Sequence, residues 1–189
     1  MNIINKIRLH FVSVSEIVGT DDLALMILCD EQHERQISIV CSRAVAVELD
    51  MRVRKMPIRE RMLPEVLTRI IAEQTDLRYY ILINSISDGQ YDSMVVNADT
   101  FEMTPIRVSD AVLLSLAGNI PIFIDERLMM KQSVPYLKPS ENMRIALPMN
   151  TMSMEMLDKA IERAISEENY EQASLLTEEK KRRTGKADK

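Results

Sequence analysis

Arg107, Ser109 and Asp110, with Asp125 and Glu126 downstream, place a guanidinium, a hydroxyl and several carboxylates inside one stretch, residues 104–128, TPIRVSDAVLLSLAGNIPIFIDERL. The carboxylates matter because the chain offers little else to a metal. Cys29 and Cys41 are its only cysteines and His10 and His33 its only histidines. They lack the spacing of a zinc site, so any metal needs oxygen ligands. The same residues also have a structural use. Ser109 is placed to cap a helix, worth about 1 kcal/mol, Asp110 complements the dipole of its first turn, Arg107 could pair with Asp110, and Gly118 could end the helix. Pro121 and the apolar Ile122, Phe123 and Ile124 then read as a short strand that surfaces at Asp125 and Glu126. Charge therefore gathers at two element boundaries.

This unit resembles the core motif of the bifunctional nuclease domain family, whose members carry an Arg-Pro-Ser-Asp-Ala helix start followed by Pro-Ile and a hydrophobic strand. The matching residues are Arg107, Ser109, Asp110 and Ala111, then Pro121 and Ile122. The resemblance covers roughly residues 7–130, taking in an apolar strand at 24–28, a strand-to-helix join at 37–46, a helix from Pro64, and Tyr91. It implies a domain similar to ones that cleave DNA and RNA, with a divalent metal, Mg²⁺ or Mn²⁺, and acidic residues as the agents. Under that resemblance Arg107, Ser109, Asp110 and Glu65 are the catalytic candidates. Asp110, Asp125 and Glu126 are the metal candidates, and Arg107 would stabilise charge on the phosphate. The chain departs from the family pattern at three places. Pro105 stands where members carry an acid, Val108 replaces the proline after the motif arginine, and Leu63, Pro64 and Glu65 replace a Thr-His-Asp element. A general base would then come from a carboxylate, a metal-bound water or His10.

The elements that must position these residues follow from hydrophobic patterning. Residues 7–14 alternate in part, residues 23–29 form a nearly continuous apolar run suited to a strand buried on both faces, and 35–41 alternate again, which predicts a three-stranded meander with a turn at 19–22. A simple turn at 30–35 puts position 36 opposite Cys29, so a disulfide to Cys41 is not expected. Ser42 caps a helix that buries Ala44, Val45, Val47 and Leu49. From Pro64 to about Gln74, Val66, Leu67, Ile70 and Ile71 repeat at helical spacing. Residues 79–86 and 91–98 are strands joined at Asp88-Gly89, a strong hairpin signal, and 101–106 reads as a further strand. The fold class is α+β, with a mixed or largely antiparallel sheet and packed helices, followed by a C-terminal helical hairpin.

With 189 residues, 46% hydrophobic and 28% charged, the chain is sized for one domain with a real core plus a small appendage. No apolar run approaches the roughly 20 residues that span a bilayer and the N-terminus lacks a secretory segment, so a cytoplasmic protein is expected. The net charge of -5 disfavours nonspecific wrapping of nucleic acid. A nucleic-acid surface would be local, at residues 52–61, where Arg52, Arg54, Lys55, Arg59 and Arg61 are interrupted by Glu60 alone. The alternative there is a solvated loop between two helices. There is no phosphate-binding glycine loop, the chain having 4 glycines, and no organic cofactor is expected.

Beyond residue 132 the periodicity breaks, and 133–152, with Pro135, Pro139 and Pro148, reads as a linker. Residues 153–183 read as two helices, with Leu157, Ala160, Ile161, Ala164 and Ile165 on one stripe and Asn169 with Gln172 as a capping box for the second. Residues 184–189 read as a disordered tail. The hairpin is too small to be stable on apolar burial alone and should pack on a partner. It resembles a UVR motif, the helical hairpin through which excision-repair nuclease subunits B and C contact each other, at Leu157, Ala164, Asn169-Tyr170-Glu171, Ala173, Leu176 and Glu178. The resemblance implies a protein contact through Leu157, Ala164, Tyr170, Ala173 and Leu176. The reading is therefore a metal-dependent nuclease of residues 1–132, acting on DNA or RNA, with a protein-binding hairpin. The alternative is a non-catalytic interaction or regulatory module that keeps the family fold. Self-association is expected of so small an apolar sheet.

Overall fold

The computed structural model describes residues 5–17, 22–136, 138, 144, 145 and 148–187. The first compact unit comprises Met1–Ile86 and Tyr91–Ala146 and is built on one mixed sheet. Strands β1 (Lys6–Ile17), β2 (Leu23–Asp30) and β3 (Arg35–Ser42) form the expected antiparallel meander. The turn expected at 19–22 lies largely outside the described residues. A bulge between Phe11 and Ser13 shifts the β1 register. Strands β4 (Tyr79–Ser87), β5 (Gln90–Asn97) and β6 (Met103–Arg107) form a second meander, turned at Asp88 and Gly89, which have φ of 46° and 75°. Positive φ at both central residues is what a tight two-residue hairpin requires.

Strand β7 (Ile122–Asp125) joins the two meanders. It runs antiparallel to β1, pairing Lys6 with Asp125 and Leu9 with Ile122, and parallel to β4, pairing Ile81 with Ile122 and Ile83 with Ile124. The strand order is β6-β5-β4-β7-β1-β2-β3-β8, where β8 (Val134–Pro135) edges β3 and β9 (Arg144–Ile145) pairs parallel with β1. The stretch read as a linker thus contributes two short strands, and the rest of 136–147 lies partly outside the described residues. Cys29 faces Gln36, as the turn geometry predicts, and both cysteines are buried and free. Burial pushes the Cys41 thiol up to about 12, which keeps it protonated and unreactive.

The core lies between the sheet and helices α1 (Arg43–Val53), α3 (Val108–Gly118) and α4 (Glu126–Gln132). From Ala24 to Asp30, β2 is buried on both faces, as its unbroken apolar run implies. Met26 and Leu28 meet Leu49 of α1, Ala111 and Val112 of α3 and Met129 of α4 in one cluster. Each fully buried Leu or Ile contributes about 1.5–3 kcal/mol. Ser42 caps α1 by accepting the Val45 N–H, but the helix buries Ala46, Leu49 and Arg52, whereas Ala44 and Val47 face solvent. Helix α3 starts one residue before the expected cap. Arg107 holds the N-cap position without a side-chain bond, and Ser109 lies inside the first turn. Helix α4 was not expected. Asp125 caps it by accepting the Leu128 N–H at 3.1 Å.

Helix α2 (Leu63–Gln74) follows a 3₁₀ turn, Pro57–Arg61, and packs along α3 at a point where a side chain would not fit. A Cβ on Gly118 would stand 2.7 Å from Thr68 Cγ2. The next residue, Asn119, takes the left-handed conformation that ends α3.

The second compact unit comprises Ser87–Gln90 and Leu147–Lys189. Its helices α5 (Met154–Ser166) and α6 (Tyr170–Ala187) form a hairpin, and α6 runs beyond residue 183, where the sequence reading placed the start of a disordered tail. Ser153 caps α5 by accepting the Met156 N–H, and Asn169 caps α6 by accepting the Gln172 N–H. Leu157, Ala164, Ala173 and Leu176 form the hairpin's own core, with Met152 and Met154 packed on it. Arg183 folds back to donate to the carbonyls of Met149 and Met152. Asp88 accepts the Met154 N–H at 2.8 Å.

Candidate functional site

The basic segment at 52–61 is divided by burial. Arg52, on the core side of α1 one turn after Leu49, has a side chain only 2% exposed, and so it is removed from the expected nucleic-acid surface. Its guanidinium donates to Glu65 Oε2 at 2.7 Å and to the carbonyl and carboxylate of Glu48. This pair ties the end of α1 to the start of α2. Glu65, 14% exposed, was expected in a catalytic role, and one of its oxygens is committed to Arg52. The other, Oε1, is buried with no hydrogen-bond donor among the described residues, as is the Nε of Arg52. A buried acceptor left unpaired costs about 1–3 kcal/mol.

Glu65 lines a cleft of about 460 Å³ with Arg59, Glu60, Thr68, Arg69 and Ala72 on one wall and Leu116, Ala117, Gly118 and Asn119 on the other. The side-chain-free Gly118 lets α3 close on α2 at its floor. Two guanidinium-bearing residues, Arg59 and Arg69, and two carboxylate-bearing ones, Glu60 and Glu65, thus line a common space. Arg69, Thr68 and Asn119 were not among the sequence candidates. The available signal was that Arg69 stands four residues after Glu65, on the same side of α2. Arg54, Lys55 and Arg61 lie on the exposed surface near the cleft's Arg59, with Arg54 paired to Asp50 at 2.9 Å.

The second expected constellation is at the other end of α3. Asp110 receives both Nε and Nη2 of Arg107, at 2.7 and 3.1 Å, a bidentate pair on the surface. Ser109 is half-buried beside it. Thr68, one turn after Glu65, packs against Gly118, while eight residues of α3 separate Asp110 from Gly118, about 12 Å of helix rise. One ion bound at 2.0–2.6 Å does not span that distance. Asp125 is engaged as the cap of α4, and Glu126 is in the exposed first turn of that helix. Among the described residues, no group of three or more His, Cys, Asp or Glu side chains is arranged to hold a metal. Asp110, Asp125 and Glu126 are thus not gathered into one such group.

In the hairpin, Leu157, Ala164, Ala173 and Leu176 are buried against one another, so they hold the two helices together instead of presenting a surface. Of the expected contact residues only Tyr170 is solvent-facing, at 68% exposure, with Ile165 and Leu175 also exposed.

The family comparison gives the sheet, helix pair and cleft a place. The model of the bifunctional nuclease domain matches residues 26–136, so the chain belongs to the bifunctional nuclease domain family. A comparison with curated proteins found no match. Among the described residues no helix is long and apolar enough to cross a membrane.

Proposed function

We propose that this chain hydrolyses phosphodiester bonds of DNA or RNA in the cleft between α2 and α3. The observation that carries the reading is Glu65, whose Oε1 has no donor among the described residues, in a cleft it lines together with Arg59 and Arg69, in a member of a nuclease-domain family. Arg59 and Arg69 engage the phosphate, since guanidinium forks match phosphate oxygens. Glu65, held through its other oxygen by Arg52, accepts the proton of the attacking water. A divalent cation, Mg²⁺ or Mn²⁺, belongs to this proposal as a companion of the substrate phosphates, the way magnesium commonly reaches such centres. The hairpin, which resembles a UVR motif, supplies a protein contact around Tyr170.

The test is cleavage of labelled single-stranded DNA, duplex DNA and RNA by the purified chain, with Mg²⁺ or Mn²⁺ and in EDTA. Glu65→Gln is expected to lower kcat about 100-fold or more, and Arg69→Ala to raise KM about tenfold, with circular dichroism unchanged. Asp110→Ala decides between the two ends of α3: a loss there with Glu65→Gln active would move the chemistry to Arg107, Ser109 and Asp110. A second reading, a non-catalytic interaction module, is favoured by the engagement of Asp110 with Arg107 and of Asp125 with the Leu128 N–H. Cleavage that is absent, or equal in all variants, would leave that reading.

A further inference from the structure

Of the chain's 14 methionines, Met149, Met152, Met154 and Met156 crowd into residues 149–156, where the chain enters α5. Two of them belong to the hairpin's packing. Met154 opens the stripe that Leu157, Ile161 and Ala164 continue at i+3, i+7 and i+10, and Met152 joins it from the turn before the helix. Their share is large because the rest is small: the buried residues they lie on are Leu157, Ala164, Ala173 and Leu176, half of them alanine. Both methionines are nevertheless only partly buried, and so within reach of a small molecule in solvent. Met26 and Met129, in the core of the first unit, are 0% exposed.

The same segment ties the second unit together. Arg183 of α6 donates to the carbonyls of Met149 and Met152, Ser153 caps α5, and Asp88 accepts the Met154 N–H. A thioether packs as an apolar group until it is oxidised, and its sulfoxide is polar. We infer that Met152 and Met154 form a modification site, each taking one oxygen atom from a hydroperoxide, and that their oxidation loosens the α5–α6 hairpin. The sulfur lone pair attacks one peroxide oxygen. The S–O bond forms as the O–O bond breaks, and the sulfur gives up two electrons. With hydrogen peroxide, the departing hydroxide takes the proton of the transferred oxygen and leaves as water. Each new S–O group is an acceptor set on Leu157, Ala160, Ile161, Ala164, Ala173 and Leu176, whose side chains offer no donor. The inference goes beyond phosphodiester chemistry and does not depend on it.

The experiment treats the full chain with hydrogen peroxide, locates added oxygen by peptide mass spectrometry and follows amide hydrogen exchange. Met152 and Met154 are expected to gain one oxygen each while Met26 and Met129 gain none. Exchange across α5 and α6 is expected to quicken about tenfold or more, with β2 unchanged. Reduction by methionine sulfoxide reductases is expected to restore slow exchange. Met152→Leu with Met154→Leu, which nearly conserves volume, is expected to keep the hairpin and make it indifferent to peroxide. Met149→Leu with Met156→Leu, outside that packing, is expected to leave the response in place. Oxidised Met152 and Met154 with unchanged exchange overturn the inference. So does a response that survives Met152→Leu with Met154→Leu, or a failure of both residues to oxidise at a dose that oxidises the exposed Met56, Met103 and Met130.

Discussion

Arg52→Ala is expected to lower the unfolding free energy by about 3–5 kcal/mol, because it leaves the Glu65 carboxylate enclosed and unpaired. Arg52 is almost fully buried and Glu65 nearly so, so water screens the pair little. The fall in melting temperature should be on the order of 10 °C for a unit of this size. Urea denaturation with circular dichroism measures it. The pair itself adds little net stability, since desolvating two ions offsets most of their attraction. The companion variant Arg52→Met with Glu65→Leu should therefore recover most of the loss. Recovery would separate the cost of an orphaned charge from a cost of disturbed packing. A fall below 1 kcal/mol in Arg52→Ala would show that the pair is hydrated and does not pin α1 to α2.

Gly89→Ala is expected to cost about 3 kcal/mol, from left-handed backbone strain and overpacking together. Gly89 has φ of 75°, and a Cβ there would stand 2.5 Å from the Met152 carbonyl oxygen and 2.8 Å from that of Thr151. Those neighbours are backbone atoms, and Arg183 already holds the Met152 carbonyl, so relief requires the 148–152 turn to move. Hydrogen exchange should report the change first at residues 148–154, including the Met154 N–H held by Asp88. Gly89→Asn, which tolerates positive φ but brings the same Cβ, separates the two causes. Equal loss in both variants assigns the cost to the contact, and a smaller loss in Gly89→Asn assigns it to strain.

What could be read from sequence was local. The β1–β2–β3 meander, the Asp88-Gly89 turn, the Cys29–Gln36 register and the caps at Ser42, Ser153 and Asn169 each depend on a few consecutive residues. The misses depend on distant partners. Arg52 looks like part of a basic loop until Glu65, thirteen residues on, is folded against it. Ser109 looks like a cap until β6 is seen to run unbroken into α3 at Arg107. Helix α4 is short, and its start, with Asp125 as cap and Glu126 in the first turn, was read as the surfacing end of a strand. The candidate site was half visible: Glu65 and Arg59 were singled out, but Arg69 and the glycine contact that shapes the cleft emerge only when α2 lies on α3.

The position of β7 bears on how the chain is made. On a ribosome the first meander emerges early and the second follows, each able to pair its own strands as it appears. Neither can close against the other until residues 122–125 have left the exit tunnel, because the four-residue strand between them comes last. Until then β1 and β4 expose open edges, the kind of surface that recruits foreign strands. A chain stalled or truncated before residue 122 is thus two sticky half-sheets, and the moment of greatest risk in its synthesis falls just before the hydrophobic segment Ile122, Phe123 and Ile124 arrives to seal them.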